Sequence, residues 1–245
     1  MVNKSPDMES LNRDIDSCTF CRSNALFDNG ELRHILGAGQ ENAPSVMFVL
    51  MNPTARNPTL SHKYSGERVS YAGVSSLWRI LIKVGFLPQS LLSIFKSPAW
   101  DDKRSRALVE HLDRASLYLT ELVKCPSRQA ETPDTQTIQH NLAFMRREIE
   151  IVNPRSIIAF GLLPFYSLTR QRIVLGDYHE KLLHGDDSHF HLHERIGDYH
   201  HKVYPCYFPT GRGNYLRAFE ILKALRSLVI ADVTDAKAEV QLTFF

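Results

Sequence analysis

Three apolar stretches of this sequence end in side chains capable of chemistry. YLTELVKCP (118–126) closes with Glu121, Lys124 and Cys125 before a proline. SVMFVLMNP (45–53) closes with Asn52-Pro53, and YPCYFPTGRGNYLR (204–217) runs into a glycine-rich turn bearing Arg212 and Arg217. Residue type limits what each can do. An ionised carboxylate only accepts hydrogen bonds, so Glu121 suits an amino group. An amide such as Asn52 can orient a water but is too weak a base to take its proton, and Pro53 stiffens the turn that presents it. Gly211 and Gly213 permit positive φ and close backbone approach, while Thr210, Arg212 and Arg217 can hold an anion. Each stretch also has an ordinary structural reading. Glu121 can pair with Lys124 or Arg128 at the surface, Asn52-Pro53 can start a turn, and the glycines can lead into a helix with solvated arginines.

The four cysteines are Cys18, Cys21, Cys125 and Cys206. In a reducing compartment, a C-x-x-C pair with two distant thiols points to metal or redox chemistry before structural disulfides, the alternative being buried thiols that merely lie close. Most of the eleven histidines fall between His179 and His201. That segment reads as a solvated, irregular hairpin or loop, with a metal-binding tract as the other option.

The elements that must position these residues alternate. Strands are expected at 45–52, 116–124, 156–161 and 202–210, as near-continuous apolar runs of the kind found in sheets buried on both faces. Helices are expected at 8–27, 74–86, 135–152, 162 to about 170, and 214–231, the third ending before Asn153-Pro154. This is an α/β fold of three layers, α/β/α, around a central, mostly parallel four-stranded sheet. In such sheets ligands bind beyond the carboxyl ends of the strands, where all three reactive stretches lie. One domain is expected over 1–245, with a metal-binding helix near 8–27 and a C-terminal tail from about 232.

Composition sets outer bounds. The chain has 245 residues and is 43% hydrophobic, ample for a single large core. A net charge of +2 and a pI of about 8.3 leave no polybasic tail, so any nucleic-acid contact must come from local clusters. The sequence contains no apolar run of about 18 residues and no apolar core in MVNKSPDMES, so a soluble, cytoplasmic monomer is expected.

The order of these strand ends resembles the uracil-DNA glycosylase superfamily, in layout nearest its iron–sulfur branch. CTFCRSNAL resembles that branch's opening C-x-x-C helix, and SVMFVLMNP its first strand and catalytic loop. SGERVSYAGVSSLWRIL resembles the loop and helix that follow. YLTELVKCP resembles a family stretch reading Tyr-Ile-Thr-Asn-Val-Val-Lys-Cys. NPRSIIAFGLLPFYSL and YPCYFPTGRGNYLR resemble the last two strand units. The resemblance implies a DNA glycosylase acting on double-stranded DNA. There are departures. The Asn52-Pro53 loop looks like that of mismatch-specific members, in which asparagine positions the attacking water. Phe208 stands at the catalytic histidine position. Glu121 stands where the family places the asparagine that reads uracil.

The resemblance therefore implies Asn52 and Pro53 as catalytic, and Glu121 as the base reader with Phe48, Tyr64 and Tyr71 as stacking partners. Thr210, Gly211, Arg212, Gly213 and Arg217 would contact DNA. An ionised Glu121 would accept from N4 of cytosine and repel O4 of uracil, so a modified cytosine is the expected substrate. DNA repair, or restriction of phage DNA carrying modified cytosine, are settings that fit. Loss of the family's acidic residue and histidine also admits a non-catalytic binder of modified DNA. Cys18, Cys21 and Cys125 match three cluster ligands, and His140 stands near the fourth, with Cys206 as the alternative. Zinc and an iron–sulfur cluster both suit such a set. A metal-dependent hydrolase built on the histidine-rich segment is a weaker reading, because no ligand set there has convincing spacing.

Overall fold

The computed structural model describes residues 5–23, 31–96, 99–129, 131–194, 196, 201–210 and 213–242, with side chains as far as 229. Four parallel strands form the centre: β2 (Val46–Leu50), β3 (Leu117–Glu121), β4 (Ser156–Phe160) and β6 (Lys202–Cys206). The sheet order is β1-β3-β2-β4-β6-β5, in which two-residue antiparallel strands β1 (Ala38–Gly39) and β5 (Phe190–His191) form the edges. Every residue of β2, β3 and β4 is buried, as continuous apolar runs require.

Alternation of side chains divides the core in two. Phe48, Leu50, Leu119, Ile158 and Phe160 face α2 (Ser75–Val84), α3 (Asp102–Arg114), α6 (Leu175–Leu183) and α7 (Tyr215–Leu242). Met47, Val49, Tyr118, Ile157 and Ala159 face α1 (Pro6–Ser17), α4 (Thr135–Val152) and α5 (Leu162–Thr169). The three layers match the expected architecture. Local signals explain the helix ends. Asp134 caps α4 by accepting from the Thr137 N–H, and Asn153 ends it in the left-handed conformation before Pro154.

Two helices were not expected. In α3 the buried positions are only Ser105, Leu108, Val109 and Leu112, too sparse in apolar residues to stand out. Helix α6 runs into the start of the histidine-rich segment 179–201, whose other described residues form turns and the two-residue strand β5. His179 is buried and its Nε2 lies 2.8 Å from Glu220 on α7, while His201 Nδ1 lies 2.7 Å from the Pro154 carbonyl. Helix α1 is shorter than expected, ending at Ser17, and the last strand ends at Cys206.

On the α4 side of β3 a fully buried polar cluster ties strand to helix. Lys124 Nζ donates to Glu148 Oε2 at 2.5 Å and to Thr120 Oγ1 at 2.6 Å, and the Tyr118 hydroxyl donates to Glu148 Oε1 at 2.9 Å. Removing one partner strands a buried charge. Lys124→Ala should therefore cost about 3–5 kcal/mol in urea unfolding. Lys124→Met combined with Glu148→Leu should recover most of that loss.

Candidate active site

The site begins with register. Leu50 pairs with Glu121 at the carboxyl ends of β2 and β3, and Phe160 pairs with Cys206 across the neighbouring strands. Beyond the strands, the two chains stay side by side. Leu122 N–H donates to the Leu50 carbonyl, Val123 N–H to Met51, and Ser127 N–H to Pro53. Asn52 is thereby held opposite the residues that follow Glu121. Both are buried, at 7% and 1% exposure. Asn52 Oδ1 and both carboxyl oxygens of Glu121 have no hydrogen-bond partner, and Asn52 Nδ2 makes only a 3.4 Å contact to its neighbour's carbonyl. Buried polar atoms are almost always satisfied, so three open acceptors on adjacent strand tips point to a ligand.

Glu121 lies on the α2 face of β3, whereas Lys124 turns to the α4 face and is taken up by Glu148. Arg128 is exposed. Neither can be the surface ion-pair partner considered from the sequence. The strongest influence on Glu121 is burial, which raises its carboxyl pKa to about 8; the Ser70 hydroxyl and the Lys124 ammonium draw it down only in part. Ser70, itself buried, sits close enough to act on the carboxyl but makes no contact of hydrogen-bonding geometry, so both groups stay open. The acceptor-only carboxylate expected from the sequence thus needs correcting. At neutral pH the unliganded site favours the protonated acid, because nothing nearby compensates a buried negative charge.

Of the three expected stacking residues, only Tyr71 stands beside Glu121. Burial and then the Glu121 charge raise its phenol pKa, while a hydrogen bond with Thr210 lowers it. Its ring lies 5.8 Å from that of Phe208. Its φ of 58° is a left-handed conformation that a bulky residue adopts at a cost of order 1 kcal/mol. Phe48 lies two residues short of the strand tip, fully buried, with its ring 5.4 Å from Phe86 and 5.8 Å from Phe160. It is a core residue. Tyr64 is tied to α3, its hydroxyl donating to Ser105 Oγ at 2.6 Å. Arg68 braces α1, contacting Asp16 and, at 2.8 Å, the His34 carbonyl. Ser70 is the residue that sequence reasoning missed, since a lone loop serine carries no signal until the fold buries it against a carboxyl.

In the turn after β6, Gly211 and Arg212 lie outside the described residues. Gly213 needs to be glycine because a Cβ there would collide with the Phe208 carbonyl; its backbone is not in the positive-φ region. Arg217 lies in the first turn of α7, where its Nη1 donates to the Tyr207 hydroxyl at 2.9 Å. Val74, Leu162, Tyr215 and Leu216 are all exposed apolar residues at the starts of α2, α5 and α7, so the sheet edge that carries the site also carries an apolar rim.

The expected metal ligands meet in two pairs. Cys18 Sγ lies 3.2 Å from His140 Nε2, and Cys21 is disulfide-bonded to Cys125. The Phe20 ring stacks on His140 at 4.1 Å. Among the described residues, no group of three or more His, Cys, Asp or Glu side chains is placed to hold a metal ion. Cys206 is excluded as a fourth ligand. It is buried on the opposite face of the sheet, with Sγ 3.9 Å from the Ala218 carbonyl, and burial pushes its thiol pKa up.

A family model described as the Uracil DNA glycosylase superfamily matches residues 36–229, spanning every element described above except α1 and the end of α7. The chain belongs to the uracil-DNA glycosylase superfamily. Members are DNA glycosylases, so base excision and DNA binding come with membership. No curated protein matches the chain. No helix among the described residues is long and apolar enough to cross a membrane.

The open carboxyl predicts a pH-dependent stability. At low pH both folded and unfolded states hold the proton and the group costs nothing. The folded state loses stability as pH rises from the ordinary value of 4.5 towards about 8, because only the unfolded chain ionises readily. Glu121→Gln should therefore stabilise the protein by roughly 2–4 kcal/mol at pH 8 and by under about 1 kcal/mol at pH 5, read from denaturation midpoints.

Proposed function

We propose that this protein is a monofunctional DNA glycosylase that extrudes a modified cytosine from duplex DNA and hydrolyses its N-glycosidic bond, leaving an abasic site. The observation that carries this reading is the buried, unpartnered carboxyl of Glu121 beside the unpartnered Oδ1 of Asn52. Extruding a base costs a few kcal/mol, recovered by stacking and by hydrogen bonds to its edge. Tyr71 supplies the aromatic surface and Glu121 the edge contact. Asn52 Oδ1 accepts from a water and aims it at C1′ of the sugar, with Pro53 fixing the turn.

The preference for a cytosine-type base follows from both protonation states of Glu121. As a carboxylate it accepts from the exocyclic N4 amine; as an acid it accepts from N4 and donates to N3. The O4 of uracil finds a partner only in the acid form. An amine is thus read in either form of the carboxyl, whereas uracil is read only by the acid form. Since excision of ordinary cytosine would damage the host's own DNA, the target carries a further modification, as in repair of altered bases or restriction of phage DNA. Lys124, the lysine beside the site, is committed to Glu148 and cannot form a Schiff base with the sugar, which supports hydrolysis without strand cleavage.

Thr210, Gly213 and Arg217 would contact DNA, as would Gly211 and Arg212 by their place in the sequence, and the apolar rim of Val74, Leu162 and Leu216 suits contact with an opened base step. Reduced, Cys18, Cys21, Cys125 and His140 would hold one structural metal centre that pins α1 to the turn after β3. Protein purified anaerobically in reductant should then contain metal that Cys18→Ser removes; metal-free protein with intact fold would refute the assignment.

The decisive assay uses duplexes carrying single modified cytosines, with mass spectrometry of released bases. Asn52→Ala should slow release by roughly 10²-fold through loss of water positioning. Binding that survives this substitution, with no release by the unsubstituted protein, would instead identify a non-catalytic reader of modified DNA.

A further inference from the structure

Phe208, whose ring lies 5.8 Å from that of Tyr71, carries no proton donor, and the Asn52 amide cannot supply one. Departure of a pyrimidine leaves the electron pair of the broken C1′–N1 bond on the base, and that charge must be met. The groups that act on Glu121 are few. Lys124 lies beyond β3 but is engaged by Glu148, Tyr71 in the loop before α2 is engaged by Thr210, and Ser70 in that loop is neutral and unpartnered. Neither oxygen of the carboxyl is occupied.

We infer that Glu121 is the general acid of the reaction, delivering its proton to the ring nitrogen N3 of the departing base, and that Ser70 is the positioning residue that orients this carboxyl. This deepens, and rests on, the glycosylase reading. The bookkeeping closes within the site. The C1′–N1 bond breaks with its electrons going to the base, the O–H of Glu121 breaks as N3–H forms, and the base leaves neutral. The water held by Asn52 adds to C1′ and gives its proton to solvent, and the Glu121 carboxylate is reprotonated from solvent when the site reopens. The Ser70 hydroxyl can donate to one oxygen, which then accepts from the base amine, leaving the other to carry the proton towards N3. Burial makes the acid form available at neutral pH, as a general acid needs.

Two measurements test this. In carbon-13 NMR of carboxyl-labelled glutamate, the resonance missing from Glu121→Gln should titrate near pH 8; titration in the ordinary glutamate range of about 4 to 5 would overturn the assignment. Single-turnover release from a duplex with one 5-hydroxymethylcytosine, and from one with its glucosylated form, should fall as pH rises through that midpoint. Glu121→Gln should lose this limb and slow release by roughly 10²-fold or more. Ser70→Ala should move the limb to higher pH, because it removes a hydroxyl that favours the ionised form. A rate that stays flat across the midpoint would overturn the acid role and leave the glycosylase reading standing. Absence of release from every modified duplex, at every pH, would sink both.

Discussion

The pairing of Leu50 with Glu121 at the ends of β2 and β3 is the contact on which the site depends. A strand's side chains alternate, so a slip of one residue would swing Glu121 to the α4 face, where Lys124 and Glu148 already form a closed cluster. In the observed register the carboxyl lies on the α2 face, where the Lys124 ammonium offsets its burial only in part. The hydrogen bonds that continue past the strands, from Leu122 to Leu50 and from Ser127 to Pro53, carry the same register into the Asn52 turn.

The two faces of β3 show opposite solutions to burying polar groups in one strand. Thr120, Tyr118 and Lys124 are satisfied around Glu148, and the cluster is structural. Glu121, one residue along, is left open together with Asn52 and Ser70. The folded chain bears the cost of that openness, which a ligand with complementary polar groups would recover. Strained backbone at Tyr71 belongs to the same account, since it places the phenol against both Glu121 and Thr210.

The N-terminal region is coupled to this site through the layer behind it. Helix α1 packs on α4, and Cys21, Cys125 and the Cys18–His140 contact join α1 and the turn after β3 to α4. Cys125 in that turn lies only four residues after Glu121. Whatever bond chemistry holds the cysteines also holds the carboxyl end of β3 in place.

Much of this was legible in the sequence. Continuous apolar runs located all four central strands, because a parallel strand buried on both faces cannot carry polar residues except at its tip. The tips therefore announced Asn52 and Glu121, whereas the C-x-x-C pair, expected to bind metal, is divided between a Cys21–Cys125 disulfide and a Cys18–His140 contact. Helix α3 was hidden by sparse apolar residues, and α6 by its place at the edge of the histidine-rich segment, whose His179 and His201 are buried and paired. The edge strands, two residues each, are too short to leave a periodic signal. Only the tertiary structure decided that Phe48 belongs to the core, that Cys206 faces away from the other thiols, and that Ser70 adjoins Glu121. It also set the burial that raises the proton affinity of Glu121. Residue type makes a carboxyl an acid, but the dielectric and the neighbouring charges that set its proton affinity come from parts of the chain far apart in sequence.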